Sequence, residues 1–180
     1  MTKHKVFISY HHGNDQAYKD RFVKLFDDYH DVFIDGSVSD GDISDDIKTE
    51  TIRQTIRDNY LRNTSVTLVL IGTETWKRKH VDWEISSSLR DTAFNPRSGL
   101  LGILLPTHPD YNKEKYYYKN IPPRLADNCK NNYAQIYNWS EDPKSIMLWI
   151  DKAFEDKGKI TPDNSREMFG KNRTGESWND

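Results

Sequence analysis

The run Val66-Thr67-Leu68-Val69-Leu70-Ile71-Gly72 is apolar at every position but Thr67 until glycine stops it. A strand with one wet face alternates apolar and polar residues, and this one does not. It therefore belongs in the middle of a sheet covered on both faces. Such cover comes from helices that cross between parallel strands, so the segment predicts an α/β fold.

Downstream, Gly72-Thr73-Glu74-Thr75-Trp76 reads as a loop, and His80-Val81-Asp82-Trp83-Glu84-Ile85-Ser86-Ser87-Ser88-Leu89 as the opening of a helix that ends before Asn95-Pro96. Val81, Ile85 and Leu89 recur every four residues and form an apolar stripe, with Glu84 and Ser88 together on its flank. A carboxylate is thus expected at the border of core and solvent, where it must find hydrogen-bond partners or shift its pKa. Ser86 to Ser88 leave room beside it for a ligand. The plainer alternative makes Glu84 a first-turn acid answering the helix dipole, with Trp83 as ordinary packing.

Upstream, Lys5-Val6-Phe7-Ile8-Ser9-Tyr10 is a short run of β formers that stops at the polar turn His11-His12-Gly13-Asn14-Asp15. Tyr18, Phe22, Leu25, Phe26 and Tyr29 follow at helical spacing. Asp31-Val32-Phe33-Ile34-Asp35 is a second strand, and Gly36 to Asp42 has the composition of an exposed loop. Ser44 can cap the next helix, marked by Ile47, Ile52, Ile56 and Tyr60 or Leu61.

Gly99-Leu100-Leu101-Gly102-Ile103-Leu104-Leu105-Pro106 repeats the pattern of a buried strand. Residues 107 to 132 carry Pro109, Pro122 and Pro123 and are expected to form an irregular insertion on the rim, with Tyr116-Tyr117-Tyr118 covering core. Tyr133 to Trp139 is a more polar fifth strand that suits an edge. Asp142-Pro143 caps a last helix marked by Ile146, Met147, Ile150, Ala153 and Phe154. The expected organisation is one domain over residues 1–156, followed by a polar appendage over 157–180 held by Phe169 or Trp178.

Composition narrows the function. The 180 residues carry a formal net charge of -2, with Lys and Arg spread along the chain, so no nucleic-acid partner is expected. A single cysteine, Cys129, excludes an internal disulfide, and six scattered histidines offer no metal site. No apolar run reaches the ~18 residues of a membrane span, and the amino terminus runs into a strand without a signal-type segment. A cytoplasmic protein away from membranes is expected.

Ligands of open parallel sheets bind outside the carboxyl ends of the strands, at the point where strand order reverses. The loops at 9–15, 35–44, 72–83 and from 106 onward share that rim with Glu84. Asp35, Asp40 and Asp42 are candidates there for ribose or partner contact, against a solvated loop. His11 and His12 are either a general base or exposed turn residues. Ser9 either binds a ligand hydroxyl or satisfies a backbone group.

Val6-Phe7-Ile8-Ser9-Tyr10, Phe33-Ile34-Asp35 before a polar loop, Ser65 to Gly72 and the helix with Trp83-Glu84-Ile85 together resemble the TIR domain, in its bacterial TIR-like branch. The resemblance covers about residues 4 to 155 and is nearest to the TIR subunit of the Thoeris anti-phage system. It implies a flavodoxin-like three-layer sandwich with a central five-stranded parallel sheet. It also implies cleavage of NAD+ between nicotinamide and ribose, with NAD+ as substrate and no bound cofactor. The product would be a cyclic ADP-ribose isomer, a diffusible nucleotide signal that activates a separate effector protein in anti-phage defence.

On this resemblance Glu84 is the catalytic residue. Phe7, Ser9, Tyr10, Asp35 and Trp83 bind the substrate, and Asp35 with the loop to Asp42 forms the BB loop. A phage-derived trigger and TIR self-association are the implied partners. Where common TIR domains carry a Trp-Cys pair ahead of the glutamate, this chain has His80-Val81, and its BB loop lacks the usual basic and proline residues. A non-catalytic TIR adaptor, acting through protein contacts, is the alternative. A receiver or flavodoxin-like module fits less well, because strand one ends in Ser9-Tyr10 rather than an acidic pair and no Gly-x-Gly-x-x-Gly fingerprint is present.

Overall fold

A computed structural model describes residues 4–29, 48–93 and 95–179, and the backbone of 32–35. The described elements are β1 (His4–Ser9), α1 (His12–Lys24), β2 (Val32–Asp35), α2 (Thr49–Asn59), β3 (Val66–Ile71), α3 (Lys79–Ser88), β4 (Gly99–Leu104), α4 (Pro123–Lys130), β5 (Ala134–Asn138) and α5 (Pro143–Asp156), with single 3-10 turns at Thr75–Lys77 and Tyr118–Asn120. All strand pairs are parallel, in the order β2-β1-β3-β4-β5. This is the flavodoxin-like arrangement that the sequence predicts, with strand order reversing between β1 and β3.

The unbroken apolar runs explain the middle of the sheet. Every residue of β3 and β4 is buried. Alternation along β1 splits its side chains between the two faces. Val6, Ile8 and Tyr10 pack with Phe22 of α1, with Phe26 just after it, and with Ile146 and Ile150 of α5. Phe7 instead joins Ile52 and Ile56 of α2 and Trp83 of α3. The far end of that second face holds Ile71, Val81, Ile85, Leu104, Leu125 and Tyr133.

Two glycines mark close approaches. A Cβ at Gly99 would overlap the Ala153 carbonyl of α5, and one at Gly72 would overlap the Asp15 carboxylate. Asp142 caps α5 by accepting from the Lys144 and Ser145 amides at 3.2 Å each, with Pro143 in the first turn.

Three differences from the sequence expectations have physical causes. Residues 107–132 include a helix, α4, because Pro123 opens it at a position where the amide has no helical partner to lose. Glu84 does not lie at a core border: α3 is buried along its whole length from His80. The segment after Lys157, polar in sequence, packs on α3 and α4 through backbone groups rather than through apolar spacing, and buries Phe169 and Trp178. Ser44, Asp40 and Asp42 lie outside the described residues.

Candidate functional site

The site begins where β1 ends. Ser9 and Phe7 share one face of that strand, and Glu84 enters the same face from α3. The Ser9 hydroxyl donates to Glu84 Oε2, and both residues are 0 % exposed. A carboxylate so deep in the fold is sustained by donors aimed at it, since an unpaired one costs several kcal/mol or more. The pair lies beside the reversal point of the sheet, at the carboxyl end of the strands, where α/β folds hold their ligands.

His80, one helical turn before Glu84, occupies the same face of α3. Its Nε2 meets the Tyr10 carbonyl at 3.2 Å. The Tyr10 ring turns to the other side of the sheet, where it stacks on His12 at 4.3 Å and donates to Gln16 Oε1 at 2.6 Å. The His12 and His80 rings meet edge to face at 5.5 Å. His11 is buried rather than exposed and His12 is half-buried, so the turn after β1 is an aromatic cap on the strand end.

The sequence-derived residues therefore separate into groups. Ser9 and Glu84 are in direct contact, with Phe7 behind them. Trp83, adjacent to Glu84 in sequence, points toward α2 and the carboxyl-terminal segment: its Nε1 donates to the Phe169 carbonyl at 2.7 Å, and Lys79 Nζ stands 5.2 Å from its ring centre. Tyr10 reaches His80 through its carbonyl, and its ring stacks on His12. Asp35 closes β2 in register with Phe7, and its side chain lies outside the described residues.

The space expected beside Ser86–Ser88 is filled by arginines of α2. Arg53 Nε donates to Ser86 Oγ at 3.2 Å. Buried Arg57 donates to the carbonyls of Ser87, Arg90 and Asn95 and to Thr92 Oγ1, closing the carboxyl end of α3. Small residues on α3 thus admit a second helix and its guanidinium groups, and burial holds the Arg57 pKa below its ordinary value.

On the opposite flank, Asp82 and Arg124 form an ion pair at 2.9 Å with both side chains at most 2 % exposed. The same groups bind the carboxyl-terminal segment. Asp82 Oδ2 accepts from the Phe169 amide at 2.9 Å, and Arg124 donates to Asn164 Oδ1 and the Glu167 carbonyl. Asn164 also donates to the Ser86 carbonyl, and Asn172 Oδ1 accepts from the Lys79 amide at the start of α3. No spacing rule reveals this bracing, because its partners lie tens of residues apart.

Near the opposite wall, Asp15 of α1 is buried against Gly72 and the loop after β3. Thr75 Oγ1 receives the Gly72 amide at 2.8 Å and donates to Asp15 Oδ2 at 3.3 Å. Burial, with added repulsion from Glu74 and against the Thr75 hydrogen bond, lifts the Asp15 pKa to about 6. Among the described residues, no three His, Cys, Asp or Glu side chains gather into a metal-binding group, and no helix is long and apolar enough to cross a membrane.

Comparison with known proteins adds one assignment. Residues 7–110, more than half of the chain, match the family described as Thoeris protein ThsB, TIR-like domain. No curated protein matches. Among solved structures, the TIR domains of the activated Roq1 resistosome directly recognising the pathogen effector XopQ align over 87 % of this chain and 84 % of that one, at 10 % identity. Their TM-score is 0.36.

Proposed function

Because the chain belongs to the Thoeris ThsB TIR-like family, we propose that it cleaves NAD+ between nicotinamide and ribose, with Glu84 as the catalytic carboxylate. The observation that carries this reading is the buried Ser9–Glu84 pair at the carboxyl edge beside the strand reversal.

In the proposed reaction the bond from the ribose anomeric carbon to the nicotinamide nitrogen breaks, and its electron pair leaves with neutral nicotinamide. The leaving group needs no proton. What needs stabilising is the cation left on the ribose, and a fixed carboxylate in a water-poor site does so by the logic glycosidases use. Ser9 keeps Glu84 aimed. Water then captures the cation to give ADP-ribose, or the adenine of the same molecule does so to give a cyclic isomer, with loss of a proton in either case. Exclusion of water favours the ring.

In the full proposal the cyclic product is the signal that activates an effector protein in anti-phage defence. Glu84 has no exposed surface, so NAD+ reaches it only after a local rearrangement. That is the step the proposal gives to a phage-derived trigger or to self-association. The same burial favours a second reading, a non-catalytic TIR adaptor whose glutamate is locked into the fold.

Mass spectrometry of products from purified protein and NAD+ separates the two, with and without lysate from phage-infected cells. Nicotinamide release by wild type and its loss in Glu84→Gln are expected, by at least about a hundredfold for a group acting on transition-state charge. The mass of the second product distinguishes cyclisation from hydrolysis. Turnover by Glu84→Gln near the wild-type rate would sink the assignment, and no turnover by wild type under either condition would favour the adaptor.

A further inference from the structure

Helix α3 is fastened differently at its two ends. Its carboxyl end is pinned by Arg57 of α2, which donates to the carbonyls of Ser87, Arg90 and Asn95. Its amino-terminal half is fastened by the carboxyl-terminal segment. The Arg173 amide donates to the Lys77 carbonyl at 2.7 Å, and Asn172 Oδ1 accepts from the Lys79 amide at 2.9 Å. Asp82 accepts from the Phe169 amide at 2.9 Å, Trp83 Nε1 donates to the Phe169 carbonyl at 2.7 Å, and Asn164 donates to the Ser86 carbonyl at 3.0 Å. Lys79, Asp82, Trp83 and Ser86 are three or four positions apart and so form one stripe of the helix. Glu84 falls about 150° round the axis from the middle of that stripe. It faces β1, where the Ser9 hydroxyl and, for His80, the Tyr10 carbonyl meet the helix. The segment therefore presses α3 onto the strand end from behind.

The two fastenings are not equally durable. From Gly158 to Asn179 the chain forms no helix or strand, and Phe169 and Trp178 are its buried residues, with Ile160 and Met168 half-buried against the apolar clusters. A segment held by side-chain amides and single backbone hydrogen bonds, with few apolar anchors, opens at a lower free energy than a sheet does. Arg57 instead sits on a regular helix and is itself buried. Loss of the weaker fastening leaves α3 attached at Ser87 to Asn95 and loose at Lys77 to Trp83.

We propose that the carboxyl-terminal segment is an autoinhibitory strap: seated, it keeps Glu84 closed against β1, and lifted, it lets the amino-terminal half of α3 swing about the end held by Arg57 and uncover Glu84. As a control on catalysis this rests on the reading of Glu84 as the group that meets NAD+. Glu84 is 0 % exposed, so only the lifted fraction of molecules is competent, and the observed rate scales with that fraction. Lifting also releases the Trp83 indole N–H from the Phe169 carbonyl, beside the carboxylate in sequence.

The test is Asn164→Ala combined with Asn172→Ala in the full chain. Both amides are half-buried, so their loss strands no buried charge. Carbodiimide labelling read by peptide mass spectrometry, with fragmentation to resolve Glu84 from Asp82, reports access to Glu84 without any substrate. The double variant should label Glu84 about tenfold faster than wild type, the factor that 1.4 kcal/mol of lost hydrogen bonding gives, with amide exchange in β3 unchanged. Nicotinamide release from NAD+ should rise by a similar factor. Faster labelling with no turnover by either protein would uphold the strap and defeat the NAD+ reading. Unchanged labelling overturns the strap whether or not NAD+ is cleaved, and so does labelling that rises only together with exchange in β3.

Discussion

Ser9, the last residue of β1, donates its hydroxyl to Glu84 although the two are 75 positions apart in the chain. This contact makes the end of one strand the orienting group for a carboxylate on a helix two crossovers later.

Ser9→Ala removes one donor from that buried carboxylate while leaving its charge. An acceptor stripped of its partner costs about 1–3 kcal/mol, so the variant should unfold at lower denaturant than wild type with an unchanged slope. On the proposed function, nicotinamide release should also fall by an order of magnitude or more. Glu84→Gln should lose more activity and less stability, because a neutral amide is easier to bury. The same denaturation series on the two variants decides this, and Ser9→Ala matching wild type in both readouts would show that the contact is incidental.

Asp82→Ala leaves Arg124 buried without its ion partner and the Phe169 amide without an acceptor. Breaking a buried pair from one side costs about 3–5 kcal/mol. Because Asp82 and Arg124 also hold the segment around Asn164 to Phe169, that segment should loosen before the sheet does. Amide hydrogen exchange should show earlier labelling at 163–173 than in β3, whereas uniform acceleration across the chain would mean that the ion pair has no local role.

Asp15 gives the protein a pH signature. Its pKa is about 6 in the folded state and near 3.8 when unfolded, so between those values the folded state holds the extra proton. Stability from this group is therefore greatest below about pH 4, declines as pH rises toward 6, and stays reduced above it, by on the order of 3 kcal/mol. Asp15→Asn should remove that decline. The difference in unfolding free energy between variant and wild type, followed from pH 4 to 7.5, should grow with pH in the variant's favour, and a flat difference would contradict the buried, singly hydrogen-bonded environment.

The sheet was legible because β3 and β4 are buried on both faces, which leaves a plain apolar run, and because β5 lies at an edge and shows it in Gln135 and Asn138. Glu84 was legible as a helix residue beside an apolar stripe, and Ser9 as a strand end. The depth of Glu84 was not, because α3 is buried by arginines from α2 and by backbone groups of residues 164–172, neither of which leaves an apolar periodicity. Helix α4 was hidden by Pro122-Pro123, which break a helix in its interior but can begin one. The parting of Phe7 and Ser9 from Tyr10 follows from strand alternation, yet which face each takes depends on where α2 and α5 settle, and that is tertiary information.

The sheet order has a consequence for how the molecule comes into being. Among the described strands β1 is made before its two neighbours: β2 follows 28 positions later, from His4 to Val32, but β3, on its other side, only 60 positions later, from Val6 to Val66. The contacts that fasten Lys79 and Trp83 to Asn172 and Phe169 span 93 and 86 positions and form later still. Chains whose pairings are so distant fold slowly, on the order of milliseconds to seconds, with strand edges exposed while they wait. During synthesis the nascent chain thus carries a β1 with one edge open and no Glu84 beside it until β3 and α3 have been made.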